Sequence, residues 1–421
     1  MAWILYRGSR LHRRKCMAIQ NDPYFIDFPG RISSIQSEMA KENIDVYLGS
    51  RLRTLSWTLD VFCPWRSFVV IPAGGLPTAF TFVIDAARVA DDSWLDEAHV
   101  FGFAPMGGQD QIELISDFIK DLLPGGRGRV GIESGMSNYL PEGNLTHYEY
   151  ERFSAALPGC ELVNAHTIID KLSIIKDAGT INRFREASRI VDIGHQAVFD
   201  ALKDGGYRGM TETGIAGLAA CAMRRAGSEW EWSFTGGNEI ASGYRTGLTG
   251  GACTPASRRE IRAGEPLMVD IHAMFKLGLG DHSHNYLIAP VTDRQWWHAN
   301  NFLDIVRLTL KTYRAGITPS DLAEKMMGFA DERGFSDYMV PGFEHGIGMM
   351  GDEWRIGLND GPFPYWTNPE HVYRAGELLI CAMQYACPEE GIGFRYENPV
   401  IIHPDRCEPL SVFPLTVDEI K

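Results

Sequence analysis

The sequence predicts an α/β N-terminal domain over residues 21–168 and an α+β C-terminal domain over residues 169–421, preceded by a basic arm at residues 1–20. Three observations lead there. The chain has 421 residues, more than one ordinary domain holds. Residues 21–165 alternate short helical and strand patterns, whereas the chain after residue 170 opens with two long helical patterns and then turns β-rich, punctuated by glycines. Hydrophobic residues make up 45% and charged residues 22%, a composition that buries a core rather than staying disordered.

In the arm, the basic residues Arg7, Arg10, Arg13, Arg14 and Lys15 follow a four-residue apolar patch, the reverse of a signal peptide's order. It reads as an exposed arm, or an upstream start ahead of Met17. The first domain then predicts a helix at Arg31–Lys41 and a strand at Val46–Gly49. Strands at Ser67–Pro72 and Ala79–Ile84 flank the turn Ala73-Gly74-Gly75. An amphipathic helix over Gln111–Leu123 stops at Pro124-Gly125-Gly126, and a strand follows at Arg129–Glu133. The second domain opens with a helix over Ala178–Leu202, where Ile181, Phe184, Ala187, Val191 and Val198 recur at three- and four-residue steps or their multiples. A second helix covers Thr211–Ala226, and a helix pair lies near Trp297–Ala315 and Pro319–Arg333.

Charge and cysteines narrow the function classes. With 40 basic and 54 acidic residues the net charge is −14, which argues against a nucleic-acid binder. No apolar run reaches the ~18–20 residues of a bilayer span, so no membrane partner is expected. The eight cysteines are scattered without a CxxC pair and read as free thiols in a reducing, cytoplasmic setting.

Four separated pieces carry chemistry. Met268–Ile271 is an apolar strand bearing Asp270, and Asp281 follows eleven residues later after a Gly-rich turn. A hairpin would bring the two carboxylates side by side, where they repel unless a cation lies between them. His345 stands beside Gly346-Ile347-Gly348, a spacing that gives backbone room for a ligand. Glu397 opens an apolar strand after Gly393-Phe394-Arg395. The segment from Glu229 to Arg245 clusters Trp230, Trp232, Phe234 and Tyr244 with one arginine.

In this order the pieces resemble the creatinase / aminopeptidase P / prolidase superfamily, and Lys171–Ile190 is similar to that family's helix between domains. The resemblance covers residues 25–405. It implies a pita-bread C-terminal fold and a homodimer whose N-terminal domain caps the partner's site. It implies Asp270, Asp281, His345 and Glu397 as metal ligands, with Ala382 where a fifth ligand, a glutamate, is expected. Two proton-shuttling histidines are also replaced, one by Asp352, so the resemblance argues against ordinary aminopeptidase activity. His272, two residues beyond Asp270, and Glu377 are the candidates for a replacement ligand.

Within the superfamily, the segment Phe234–Arg245 and the region Asp281–Asn285 look closest to the pita-bread dimethylsulfoniopropionate lyases. That resemblance implies a carbon–sulfur lyase acting on a small cationic osmolyte, with one divalent transition metal: iron, zinc or manganese. Asp352 would be the base, with His272 and Glu353 as further catalytic candidates. The metal or Arg245 would hold the carboxylate, and Trp230, Trp232, Tyr244, Trp354, Tyr365 and Trp366 would cage the sulfonium, with Trp57 or Trp65 supplied by the capping domain of a second copy. The alternatives are a metal-free, creatinase-like hydrolase built on His345, Glu353 and Glu397, or an Xaa-Pro-type metallopeptidase.

Overall fold

The computed structural model describes residues 5–7, 22–103, 108–135, 142–230, 237–252, 254–340, 344–353 and 370–421. The chain divides into two compact units between Ser173 and Ile174.

The first unit runs β1 (Leu5–Arg7), α1 (Phe28–Lys41), β2 (Val46–Gly49), α2 (Leu52–Leu59), β3 (Phe68–Pro72), β4 (Thr78–Phe82), α3 (Ala86–Asp92), β5 (Glu97–Phe101), α4 (Gln111–Leu122), β6 (Gly128–Ile132), α5 (His147–Ala156), β7 (Cys160–Asn164) and α6 (Thr167–Ser173). Its strands form one mixed sheet in the order β1-β5-β4-β3-β2-β6-β7. Part of the basic arm is therefore an edge strand, Leu5–Arg7, antiparallel to β5. Helix α4 starts where the Asp110 carboxylate accepts from the amides of Ile112 and Glu113. Its Ile112, Ile115 and Ile119 pack into the core with Val46, Phe68 and Val130 of the sheet. A buried polar knot closes the unit. Arg51 donates from Nε to Glu133 at 2.8 Å, from Nη1 to Asp170 at 2.9 Å, and from Nη2 to the His166 carbonyl at 2.9 Å.

The second unit runs α7 (Ala178–Leu202), α8 (Glu212–Arg225), β8 (Glu239–Ser242), β9 (Pro266–Phe275), β10 (Gly278–Ile288), α9 (Asp293–Thr312), α10 (Pro319–Arg333), β11 (Glu344–Gly348), β12 (Gly351–Glu353), β13 (Leu378–Cys387), β14 (Ile392–Ile402), β15 (Cys407–Pro409) and β16 (Val417–Ile420). Two sheets result, β16-β10-β9-β8 and β12-β11-β13-β14-β15. Helices α7 and α8 cover the first sheet, with Ile190, Val198 and Ile215 packed on Val269, Ile271 and Tyr286. Helices α9 and α10 cover the second, with Phe302, Val306 and Met326 on Leu379, Met383 and Phe394. This is the α+β pita-bread arrangement, and the first unit is the α/β partner domain.

Local signals explain the bounds. Helix α7 keeps its expected limits because Asp177 caps it, accepting from the Thr180 amide. Helix α9 starts earlier than apolar spacing predicts, because Thr292 and Gln295 form a capping box. At Gly280 a Cβ would lie 2.5 Å from the Ala187 carbonyl carbon and oxygen, so glycine lets α7 press onto β10. The two sheets are sewn together by Asn285, whose Nδ2 donates to the Arg395 carbonyl at 2.7 Å and whose Oδ1 accepts from the Arg395 amide at 3.1 Å. Among the described residues no helix is long and apolar enough to cross a membrane.

Candidate metal centre

The centre is built on the β9–β10 hairpin. Its two-residue turn, Lys276-Leu277, has φ of 47° and 63°, the twist that suits a tight antiparallel connection. The turn fixes the register: Asp270 faces Ser283 and His272 faces Asp281. Side chains alternate along a strand, so Asp270, His272, Asp281 and Ser283 share one face. The sequence expectation of two neighbouring aspartates is met diagonally, with His272 and Ser283 completing the square. Ser283 Oγ donates to Asp270 Oδ1 at 2.9 Å, and His272 Nε2 lies 3.3 Å from Asp281 Oδ1. The other face carries His282 and His284, which pack against α7 and the chain's end. The His282 carbonyl meets His195 Nε2 at 2.9 Å, and His284 Nε2 lies 2.9 Å from Asp418 Oδ2.

Strand β14 brings Glu397 and Arg395 to the same place. Ligand atoms of Asp270, His272, Asp281 and Glu397 all lie within 4.8 Å of one another. Arg395 reaches in among the acids. Its Nη2 donates to Glu397 Oε1 at 2.7 Å, its Nη1 lies 3.0 Å from Asp270 Oδ2, and the same Nη1 pairs with Glu239 of β8. Neither Arg395 nor Glu239 was expected in the site. The signal for Arg395 was its two-residue step from Glu397, which puts both on one face of the strand. Glu239 is opposite Asp270 across β8 and β9, a pairing that the sequence does not announce.

Three buried carboxylates, of Glu239, Asp270 and Glu397, thus share the Arg395 guanidinium, and a fourth, of Asp281, lies beside His272. Burial pushes the Asp270 carboxyl well above the usual carboxylate range despite Arg395. Burial also opposes ionisation of Glu397, but Arg395 and then His345 outweigh it and hold that carboxyl far below its ordinary value. His272 is pulled both ways; burial disfavours its charged form, and Asp281 more than offsets this. Glu397 Oε2 is buried with no hydrogen-bond partner. An orphan carboxylate oxygen beside an imidazole and two aspartates, all short of positive charge, fits a divalent cation with mixed oxygen and nitrogen ligands. This is a divalent-metal-binding site, as the paired acids predicted.

The remaining expected site residues are distributed differently. His345 stands at the rim of the cluster, with Nε2 3.4 Å from Glu397 Oε1 and a side chain 12% exposed. The room at Gly346 and Gly348 does not serve a ligand: a Cβ at Gly348 would lie 2.1 Å from Glu353 Oε1, so the glycines make space for Glu353. Glu353 is in turn held by Lys176 Nζ at 2.5 Å, both side chains buried. Asp352 lies in β12, and its side chain is outside the described residues. Glu377 sits away from the cluster, bonded to His371 and Arg374 at 3.0 Å each. Ala382 faces Glu397 directly across β13 and β14.

The expected aromatic cage is not assembled by the described residues. Trp230 is 37% exposed and Tyr244 is 64% exposed, with Arg259 stacked on the Tyr244 ring. Arg245 donates to the Pro255 carbonyl at 2.6 Å and pairs with Glu212 at 3.5 Å, so its charge is engaged outside the acid cluster. In the first unit Trp57 is buried beneath Arg31, and Trp65 is exposed. Trp232, Trp354, Tyr365 and Trp366 lie outside the described residues.

Comparison with known proteins supplies the context. Residues 182–404 match the pattern of Metallopeptidase family M24, and residues 31–175 match the Creatinase/Prolidase N-terminal domain. A curated relative, the Xaa-Pro dipeptidase of Pyrococcus furiosus, is 24% identical over 62% of this chain and 70% of its own length. Among solved structures, the Xaa-Pro dipeptidase from Bacillus anthracis has a TM-score of 0.76 at 18% identity, covering 94% of this chain and 100% of that one. The X-Pro aminopeptidase from Thermotoga maritima has a TM-score of 0.72 at 18% identity, covering 91% of this chain and 100% of that one. These matches overturn the expectation of a dimethylsulfoniopropionate lyase. The similar proteins are named as peptidases, Trp230 and Tyr244 do not form the cage that a sulfonium requires, and Arg245 is engaged away from the acid cluster. The carbon–sulfur lyase assignment and the cationic osmolyte as substrate are both withdrawn on these grounds.

Proposed function

From the premise that this chain belongs to metallopeptidase family M24, we propose that it is a metal-dependent peptidase acting on short peptides with a proline after the scissile bond. The observation that carries the reading is the buried set Asp270, His272, Asp281 and Glu397, gathered within 4.8 Å inside the region that matches the family. The substrate class is suggested by the names of the relatives, Xaa-Pro dipeptidases and an X-Pro aminopeptidase.

The chain's own residues support hydrolysis in three ways. Asp270, His272, Asp281 and Glu397 would hold a divalent ion, which when bound polarises a carbonyl and lowers the pKa of water. Arg395 fixes the orientation of Asp270 and Glu397 and offsets part of their repulsion. His345, at the open rim beside Glu397, is suited to accept and return a proton at Nε2.

The test is release of proline from Xaa-Pro dipeptides by the purified full chain, after loading with manganese, cobalt, zinc or iron in turn. Chelator-sensitive hydrolysis that falls by about 100-fold or more in His345→Ala supports the reading. A chain that binds the metals yet cleaves no Xaa-Pro peptide overturns it.

A further inference from the structure

The donors around the cluster come unevenly from the strands. Strand β9 contributes Asp270 and His272, β10 contributes Asp281, and β14 contributes Glu397. Strand β13 contributes only a methyl group, because Ala382 is the residue facing Glu397. Several oxygens are already engaged by the protein. Asp270 Oδ1 accepts from Ser283, and Asp270 Oδ2, Glu397 Oε1 and Glu239 face Arg395.

His272 is held as a ligand would be. Its Nδ1 meets the Gly237 carbonyl at 3.1 Å, an acceptor, so Nδ1 carries the hydrogen and donates it. Nε2 points into the cluster, 3.3 Å from Asp281 Oδ1, and is the nitrogen whose lone pair a metal would take in exchange for a proton. The backbone is pinned too, with the His272 amide donating to Asn238 Oδ1 at 3.1 Å. A carbonyl behind the ring and acids in front is the pattern by which a protein orients a metal-bound imidazole.

Geometry sets the stoichiometry. With several carboxylate oxygens already engaged and no carboxylate on β13 to lie between two ions, the donors left in this buried place suit one divalent ion.

We propose that His272 Nε2 is a metal ligand of this centre, and that Ala382 limits the centre to one divalent ion per chain. The inference deepens the metal-centre reading above and rests on it. Of the two roles the sequence leaves open for His272, replacement ligand and catalytic group, it takes the first.

The experiment reads the metal, not the reaction. The full chain is labelled with nitrogen-15, loaded with cadmium-113 and examined for cadmium–nitrogen coupling, and bound metal is counted by elemental analysis. The expected result is one ion per chain with His272 coupled at Nε2. His272→Ala should remove one coupled imidazole and weaken binding by about 100-fold or more. Ala382→Glu should raise the count from one ion to two. Two ions in the unmodified chain, or an unchanged count in Ala382→Glu, overturns the role of Ala382. An unchanged set of coupled imidazoles in His272→Ala overturns the role of His272. If that variant does not fold, His345→Ala decides: at least one coupled imidazole must remain, and none remaining overturns the proposal. Peptide hydrolysis enters none of these readings, so the failure of the peptidase reading is told apart from failure here.

Discussion

Replacing Arg395 with methionine removes the guanidinium that, among the described residues, faces Glu239, Asp270 and Glu397, while keeping most of the side-chain volume. All three carboxylate side chains are buried, at 7%, 0% and 1% exposure. Breaking one buried ion pair by removing a single partner costs about 3–5 kcal/mol, because the survivor is left charged and dry. Three survivors put the metal-free variant at the upper end, unless they take up protons. They will, and this gives the effect a pH signature. Without Arg395 the Asp270 carboxyl rises further above an unfolded value of about 4, and the Glu397 carboxyl loses the main cause of its depression and rises toward and past that value. A carboxyl whose folded pKa is raised costs no stability below its unfolded pKa, and the penalty grows as pH climbs through the folded one. In the parent, Glu397 behaves oppositely; its depressed value contributes stability above an unfolded pKa of about 4, lost as pH falls through the folded value. The destabilisation of Arg395→Met should therefore be large at pH 8 and clearly smaller at pH 5. Hydrogen exchange of the chelator-treated chain, followed over residues 266–288 and 392–402, reads the loss locally. At pH 8 the variant should exchange about 100- to several-thousand-fold faster, the range that 3–5 kcal/mol implies. Acceleration below about five-fold, or equal at pH 5 and pH 8, would refute the argument that Arg395 neutralises these acids.

Two further outcomes follow from the packing. Gly348→Ala should cost about 1–3 kcal/mol, since its Cβ would meet Glu353 Oε1 at 2.1 Å and force the Lys176–Glu353 pair apart; a thermal midpoint within a degree of the parent would contradict this. In the first unit, Arg51→Met should destabilise by about 3–5 kcal/mol, because Glu133 and Asp170 both lose a buried partner; exchange of β2 and β6 amides at the parental rate would count against it.

Much of this chain is legible without tertiary information. The helix over Ala178–Leu202 follows from its apolar spacing and the aspartate that caps it. The shared face of Asp270, His272, Asp281 and Ser283 follows from strand parity once a two-residue turn joins β9 to β10. Such features depend on neighbours within about fifteen residues, where spacing along the chain is spacing in space. What the glycines beside His345 are for was decided elsewhere. They look like room for a ligand, and Glu353, held by Lys176, fills the room. The aromatic residues near Tyr244 suggested a cage, but packing leaves Tyr244 at the surface and ties Arg245 to Glu212 and the Pro255 carbonyl. Arg395 and Glu239 entered the centre only when β14 and β8 came to lie beside β9. Strand parity says which face a side chain takes, but which strands meet across that face is set by the burial of two separate helix–sheet cores, and no spacing rule encodes that choice.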